Sequence, residues 1–136
     1  MKRVFVDSGG FFAALVSEDG EHARIKALFQ QAAAERWLFV TTNAVVFETQ
    51  ALLLNRSRDG RNNALAFLDL LERDDYVVER ILASDEKRGI EIFRSHADKS
   101  YSLCDATSFA VMERLGITEA IAPDRHFREI GRFTIL

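Results

Sequence analysis

Short apolar segments alternate with longer helical patterns along the whole of this 136-residue chain. The strand-like segments are Arg3–Val6, Trp37–Val40, Tyr76–Glu79, Ile117–Ala122 and Phe133–Ile135. Strands separated by helices are typical of parallel sheets, because a parallel pair needs a long crossover connection that a helix supplies. The pattern therefore predicts an α/β fold: a three-layer α/β/α sandwich with a mainly parallel central sheet.

Helical segments are predicted in the intervals between these strands. They are Gly9–Val16, Glu21–Glu35, a helix capped by Thr42 or Asn43 and running to Asn55, an amphipathic helix after Gly60, a helix from Ser84, a helix from Leu103, and Arg125–Ile130. Gly116 stands where a left-handed cap would end the helix from Leu103. With one proline and no repeat or low-complexity tract, the chain is predicted to form a single domain, residues 1–136.

Nothing in the sequence predicts a secretory or membrane segment. The first apolar run, Val4–Val6, has three residues, whereas a secretory signal needs about 7–15. No stretch approaches the roughly 20 apolar residues of a membrane span. The single cysteine, Cys104, excludes an intramolecular disulfide and suits a reducing compartment. We therefore expect a soluble, cytoplasmic protein that does not enter a membrane.

The formal net charge of −3 argues against a general nucleic-acid binder, since such proteins neutralise phosphates with a basic surface. The objection weakens if several acids are metal ligands, because bound cations reverse the local field. Two groups of arginines are candidates for phosphate contacts, although a solvated surface is the more ordinary position for each. They are Arg56, Arg58 and Arg61 around one turn, and Arg125, Arg128 and Arg132 near the C-terminus.

Four carboxylates stand at positions that single them out. Asp7 directly ends the first apolar run, and Asp124 closely follows the fourth. Glu48 interrupts an apolar helical stretch, and Asp105 opens another helix. Acids in such places are costly unless something positive meets them, and Mg²⁺ and Mn²⁺ favour hard oxygen ligands. Because ligands collect at the carboxyl ends of parallel strands, we predict that these acids form one metal site of a phosphodiester hydrolase.

Three of the acids also have a purely structural alternative. Asp7 and Asp124 stand where they can cap the helices that follow, although Ser8 can cap the first helix equally well. Asp105 follows Ser102 at the spacing of a capping box. Each acid alone is a weak signal, and their convergence on one sheet edge is the stronger one.

Glu48 has a different structural alternative. On a helical wheel, the apolar residues of the stretch from Ala44 to Leu54 cover almost every direction, which predicts a helix buried nearly all round. An ion pair with an arginine is then the alternative to a metal as the partner of Glu48.

Other catalytic chemistry lacks support in the residues. His22, His96 and His126 are scattered without zinc-ligand spacing. Cys104 lies in an apolar segment, which favours a small core residue over a nucleophile. The Gly-x-Ser-x-Gly motif, phosphate-binding glycine loops and the dinucleotide fingerprint are all missing.

One set of short segments is specific as a whole in its order and spacing. The segments are Val4–Ser8; Thr42–Asn43 followed by Glu48; Tyr101–Met112 with Leu115–Ile117; and Asp124–Phe127. Together they resemble the PIN-domain ribonucleases, particularly the VapC-type toxins of bacterial toxin–antitoxin pairs. The resemblance covers essentially the whole chain.

This resemblance implies a site, a substrate and partners. The acids matching Asp7, Glu48, Asp105 and Asp124 would bind one or two Mg²⁺ or Mn²⁺ ions and hydrolyse RNA. The protein would form a homodimer and bind a cognate antitoxin protein. Mild support for such contacts comes from the number of apolar groups in two small helices, although the core is the more ordinary place for such side chains. They are Phe11, Phe12, Leu15 and Phe29.

The chain departs from the family pattern just before the fourth acid. Ala122 and Pro123 stand where the family often has hydroxyl residues, which can orient a ligand carboxylate. Related sequences also carry a further acid near the site, matched here by Asp98.

Two alternatives to the ribonuclease stay open. The first is a PIN-like module that binds RNA or a protein without cutting, which the change at Ala122 and Pro123 and the negative net charge leave possible. The second is a nuclease that acts on DNA.

Overall fold

A five-stranded, entirely parallel sheet runs through the computed structural model, which describes residues 1–136. The strands are β1 (Arg3–Val6), β2 (Leu38–Thr42), β3 (Tyr76–Glu79), β4 (Glu119–Ile121) and β5 (Thr134–Ile135). Their order across the sheet is β3-β2-β1-β4-β5, and every neighbouring pair is parallel. The predicted α/β class and parallel sheet are confirmed.

Seven helices connect and cover the strands. They are α1 (Ser8–Leu15), α2 (His22–Glu35), α3 (Asn43–Arg56), α4 (Gly60–Leu71), α5 (Ala83–Ser95), α6 (Leu103–Leu115) and α7 (Arg125–Glu129). Helix α1 packs on α2, α3 and α4, while α5 packs on α6. None of these helices has both the length and the apolar character needed to cross a membrane.

The position of β1 in the middle of the sheet explains why its apolar run is unbroken. Val4, Phe5 and Val6 are completely buried, because β1 has a strand on either side and helices over the sheet. Phe5 stacks at 6.0 Å on Phe127 of α7, and the ring of Phe109 from α6 meets Phe127 edge-on. Burial of each such side chain contributes about 1.5–3 kcal/mol. The core therefore fixes α6, which carries Asp105, and α7, which follows Asp124, against β1.

Strands β2, β4 and β5 have boundaries that differ from the predicted ones, and the largest differences are at the end of β2 and the start of β4. Strand β2 continues through Thr42, because Thr41 and Thr42 pair with β3. Strand β4 begins later than predicted, because the N–H of Ile117 is used to end α6 by donating to the carbonyl of Met112 at 2.9 Å. Gly116, at φ 68°, forms the predicted left-handed cap.

A crevice opens where the chain changes its direction of winding across the sheet. From β1 the chain runs to β2 and β3 on one side of the sheet. It then crosses back to β4 and β5 on the other side of β1. Ligands bind beyond the carboxyl ends of the strands at such a point. Asp7 follows β1 directly, and Asp124 follows β4 after two further residues.

Candidate active site

All four predicted acids line one cavity of about 530 Å³ at the carboxyl ends of β1 and β4. Its fifteen lining residues are Asp7, Ser8, Gly9, Phe12, Asp19, Glu21, Glu48, Leu52, Arg56, Ser100, Ser102, Asp105, Pro123, Asp124 and His126. Six of these are carboxylates, whereas the basic side chains are limited to Arg56 and His126. The cavity therefore has a strongly negative lining, and the predicted convergence of the acids is observed.

Asp7 lies at the bottom of the site with its side chain almost completely buried. Its residue is 3% exposed, and Oδ1 has no hydrogen-bond partner. Its main-chain carbonyl begins α1, accepting the N–H groups of Gly10 and Phe11, but the carboxylate caps nothing. Burial raises the pKa of Asp7 to about 8, and the charge of Asp105 adds to the effect. The capping alternative fails for this side chain, which faces the cavity.

Glu48 is held by a hydroxyl from a different helix. The Ser8 Oγ donates to Glu48 Oε1 at 2.5 Å. Ser8 was considered as a cap for α1, but it is the first residue of that helix, and its hydroxyl orients Glu48 instead. The structure pairs Glu48 with no arginine. The expectation that α3 is buried nearly all round was wrong: Glu48 is half-buried, and the neighbouring Phe47 is 69% exposed.

Asp105 combines both of the roles considered for it. Its Oδ2 accepts the N–H of Ser102 at 3.0 Å, and its own N–H donates to the Ser102 hydroxyl at 3.0 Å. The capping box is therefore real, and it fixes the carboxylate in the wall of the cavity. Burial raises the pKa of Asp105 above its ordinary value, while the hydrogen bonds from Ser102 oppose the shift.

Asp124 is the most exposed of the four acids and the least restrained. Its side chain is 53% exposed, and although the residue occupies the N-cap position of α7, it makes no capping hydrogen bond. Its Oδ1 lies 3.9 Å from Nε2 of His126, which also lies 4.0 Å from Asp105 Oδ2. His126 was missed by sequence reasoning, which looked only for zinc-ligand spacing. Its position two residues after Asp124 was the available signal.

Two other residues considered from the sequence do not line this cavity. Asp98 forms an ion pair with Lys99 at 3.5 Å, its side chain is 77% exposed, and it does not line the cavity. Cys104 is half-buried against the core, and burial raises the pKa of its thiol well above the ordinary value. A thiol that resists ionisation is a poor nucleophile.

The donor set fits a hard divalent cation in chemistry. No three His, Cys, Asp or Glu side chains are grouped closely enough to hold an ion as they stand. However, mutual repulsion from Asp105, Glu48 and Asp124 contributes to the raised pKa of Asp7, and Asp7 Oδ1 lacks any partner. A cation would satisfy the unpaired oxygen and remove this repulsion.

The protein-family model for the PIN domain matches residues 4–133. The chain belongs to the PIN-domain family. Two relatives are the VapC20 proteins of Mycobacterium tuberculosis strains CDC 1551 and H37Rv, each named a 23S rRNA-specific endonuclease. Each is 37% identical over 129 residues, covering 94% of this chain and 94% of the relative.

Solved structures share the fold across nearly the whole chain. Mycobacterium tuberculosis VapC20, described as a Sarcin-Ricin loop cleaving toxin, has a TM-score of 0.86 and 33% identity, covering 97% of this chain and 98% of that one. VapBC2 from Rickettsia felis has a TM-score of 0.72 at 11% identity, covering 98% and 97%. FitAcB from Neisseria gonorrhoeae has a TM-score of 0.65 at 13% identity, covering 98% and 96%. The predicted PIN-domain ribonuclease of the VapC type is confirmed.

Proposed function

We propose that this chain is the endoribonuclease toxin of a toxin–antitoxin pair and binds one or two Mg²⁺ or Mn²⁺ ions at Asp7, Glu48, Asp105 and Asp124. The observation that carries the metal site is the buried, unpaired Oδ1 of Asp7 in a cavity with three further acids. A binding module that does not cut has no use for this arrangement, because an uncompensated buried carboxylate destabilises the fold.

The protein's residues position the acids and leave the chemistry to a bound ion and water. Asp7, Asp105 and Asp124 would hold the ion, with Glu48 completing its surroundings directly or through water. A bound divalent ion supplies electrostatic stabilisation of the attacking and leaving oxygens of a phosphodiester. Ser8 restrains Glu48, and the main chain of Ser102 restrains Asp105. No side-chain nucleophile is needed.

The proposed substrate is ribosomal RNA of the large subunit, by analogy with VapC20, which is named a 23S rRNA-specific endonuclease. Of the six arginines considered from the sequence, only Arg56 lines the cavity. It is exposed at the end of α3, whereas Arg125 and Arg132 are engaged in ion pairs with Glu129 and Glu113. Arg56 is therefore the side chain best placed to contact an RNA phosphate beside the acids.

The proposed assembly is a homodimer that also binds a cognate antitoxin. The four apolar residues suggested from the sequence do not carry this proposal, because Phe11 is fully buried and Phe12, Leu15 and Phe29 pack against the core. A different set of exposed apolar residues, here called the apolar face, comes from α3, from α5 and the residue before it, and from the start of α6. It consists of Phe47, Leu82, Ile90, Phe93 and Leu103.

A groove of about 280 Å³ lies within this face and is lined by Ile90 and Leu103 together with Cys104. Exposed apolar side chains grouped on one surface are typical of contacts between proteins. A second copy of the chain is proposed to cover the apolar face, and a cognate antitoxin is proposed as a further partner, by analogy with the VapBC2 and FitAcB neighbours. The proposed place of action is the cytoplasm, where Cys104 remains reduced.

The nuclease proposal is tested by incubating the purified chain with ribosomal RNA and Mg²⁺ or Mn²⁺, beside Asp7→Asn and an EDTA control. Asp74→Asn, an exposed acid outside the cavity, is the matched control. We expect cleavage by wild type and Asp74→Asn, and none by Asp7→Asn or in EDTA. Full activity of Asp7→Asn would contradict the assignment. Equal inactivity of all proteins would favour the binding module, and preferential cutting of single-stranded DNA in a parallel reaction would favour the DNA nuclease.

A further inference from the structure

His126, in helix α7, lies between Asp105 and Asp124, two of the four acids of the site. Its side chain is 15% exposed, and its Nε2 lies 3.9 Å from Asp124 Oδ1 and 4.0 Å from Asp105 Oδ2. These distances are too long for hydrogen bonds. They are short enough that an imidazole N–H attracts both carboxylates.

The imidazole ring itself is held from its other sides. Tyr101 meets it edge-on, with ring centroids 5.6 Å apart and planes at 87°. Its Nδ1 is buried without a hydrogen bond and faces Glu129 Oε2 at 3.9 Å. Glu129 is in turn paired with Arg125 at 3.4 Å. The ring is therefore a fixed group rather than a mobile surface side chain.

The two acids that face His126 differ in how they are otherwise restrained. Asp105 is already oriented by both bonds of its capping box with Ser102. Asp124 has no hydrogen bond from its side chain, is preceded by Pro123, which has no hydroxyl, and is half exposed to solvent. An exposed side chain must lose rotational freedom when it binds an ion, which weakens binding unless a neighbour has already restricted it.

We propose that His126 is a positioning residue that orients the Asp124 carboxylate for the divalent ion. The inference rests on the proposed metal site and adds a fifth residue to it, one that acts through Asp124 instead of binding the ion. A group that orients a metal ligand changes metal affinity by about 10- to 100-fold when it is removed. The chain offers a matched control in His96, which also packs against Tyr101, at 5.7 Å, but does not line the cavity.

The test is calorimetric titration of Mn²⁺ into the wild type, His126→Ala, His126→Gln and His96→Ala, with urea denaturation to show that each variant is folded. We expect His126→Ala to weaken Mn²⁺ binding about 10- to 100-fold. His126→Gln should recover part of the loss, because its amide N–H can approach Asp124. His96→Ala should bind like the wild type.

Two further measurements separate this role from others. In an Asp124→Asn background, His126→Ala should have a much smaller effect on Mn²⁺ affinity, because residues that act through one another are not additive. Nitrogen hyperfine coupling to bound Mn²⁺ in the wild type would show that His126 is a direct ligand and overturn the positioning role. Wild-type affinity in His126→Ala would overturn this inference alone. Failure of the wild type to bind Mn²⁺ would overturn the proposed metal site as well.

Discussion

Replacing Asp7 with asparagine should make the metal-free protein more stable while it abolishes cleavage. The Asp7 carboxyl is buried, its Oδ1 is unpaired, and burial raises its pKa to about 8 from an ordinary value of 3.8. The folded state therefore binds this proton more tightly than the unfolded state does. Its favourable contribution is complete below pH 3.8 and is lost as the pH rises towards 8. Asparagine has no charge to lose and keeps nearly the same volume.

The size of this effect follows from the pKa difference. Each pH unit of difference corresponds to about 1.4 kcal/mol. At pH 7 the unfolded chain is ionised at Asp7 whereas the folded protein keeps the proton, and this difference costs the fold roughly 4 kcal/mol. Rearrangement of neighbouring groups around a buried charge lowers such costs. We therefore expect Asp7→Asn to raise the free energy of unfolding by about 2–4 kcal/mol at pH 7, against a total stability of about 5–15 kcal/mol for a typical domain.

Urea denaturation in EDTA at pH 5 and pH 8 measures this effect directly. The stability advantage of Asp7→Asn over the wild type should grow between the two pH values, and Asp74→Asn should show no such trend. Adding Mn²⁺ should then offset most of this advantage, because a ligand at a hundredfold excess over its Kd stabilises the wild type by about 2.7 kcal/mol. Parallel pH dependences for wild type and Asp7→Asn would refute the reasoning.

Three further predictions concern other parts of the molecule. Ser8→Ala, compared with the exposed Ser17→Ala, should lower the cleavage rate about 10- to 100-fold in a Mn²⁺ assay, because it releases Glu48; an unchanged rate would show that the hydrogen bond is dispensable. Arg56→Ala should raise the KM for RNA and reduce the slope of log affinity against log salt by about one, because Arg56 lines the cavity. The control Arg61→Ala, at an exposed residue outside the cavity, should change neither quantity, and equal slopes for Arg56→Ala and wild type would exclude Arg56 from the RNA contact. Phe93→Asp should convert a dimer into a monomer in analytical ultracentrifugation, and a wild type that is monomeric at high concentration would contradict the proposed use of the apolar face.

The sequence was sufficient to predict the parallel sheet and the convergence of the acids, because both depend on local patterns. Strand β1 was predicted with its observed bounds, since its apolar run is continuous and ends in an acid. Strand β2 was predicted too short, because Thr41 and Thr42 are polar but pair with a neighbouring strand. Hydrophobicity alone does not report such pairing.

The errors at α3 and His126 have a different cause. The apolar pattern around Glu48 predicted a helix buried nearly all round, but Phe47 faces solvent. A helical wheel shows which residues are apolar, but it cannot distinguish a residue covered by its own chain from one available to another chain. His126 approaches Asp105 only because α6 and α7 meet at Phe109 and Phe127. That proximity is a property of the tertiary packing, and its one trace in the sequence is the position of His126 two residues after Asp124.

The pairing of β1 with β4 determines when during synthesis the enzyme can become active. Phe5 and Val6 pair with Ala120 and Ile121, which follow them only 115 residues later in the chain. Asp7 and Asp124 are brought together by the same pairing. A nascent chain still lacking β4 has neither a complete sheet nor the fourth acid, and contacts so distant in sequence form late in folding. A ribonuclease built in this way stays inert until β4 and Asp124 have been made, so its activity begins only when the sheet can close around Asp7.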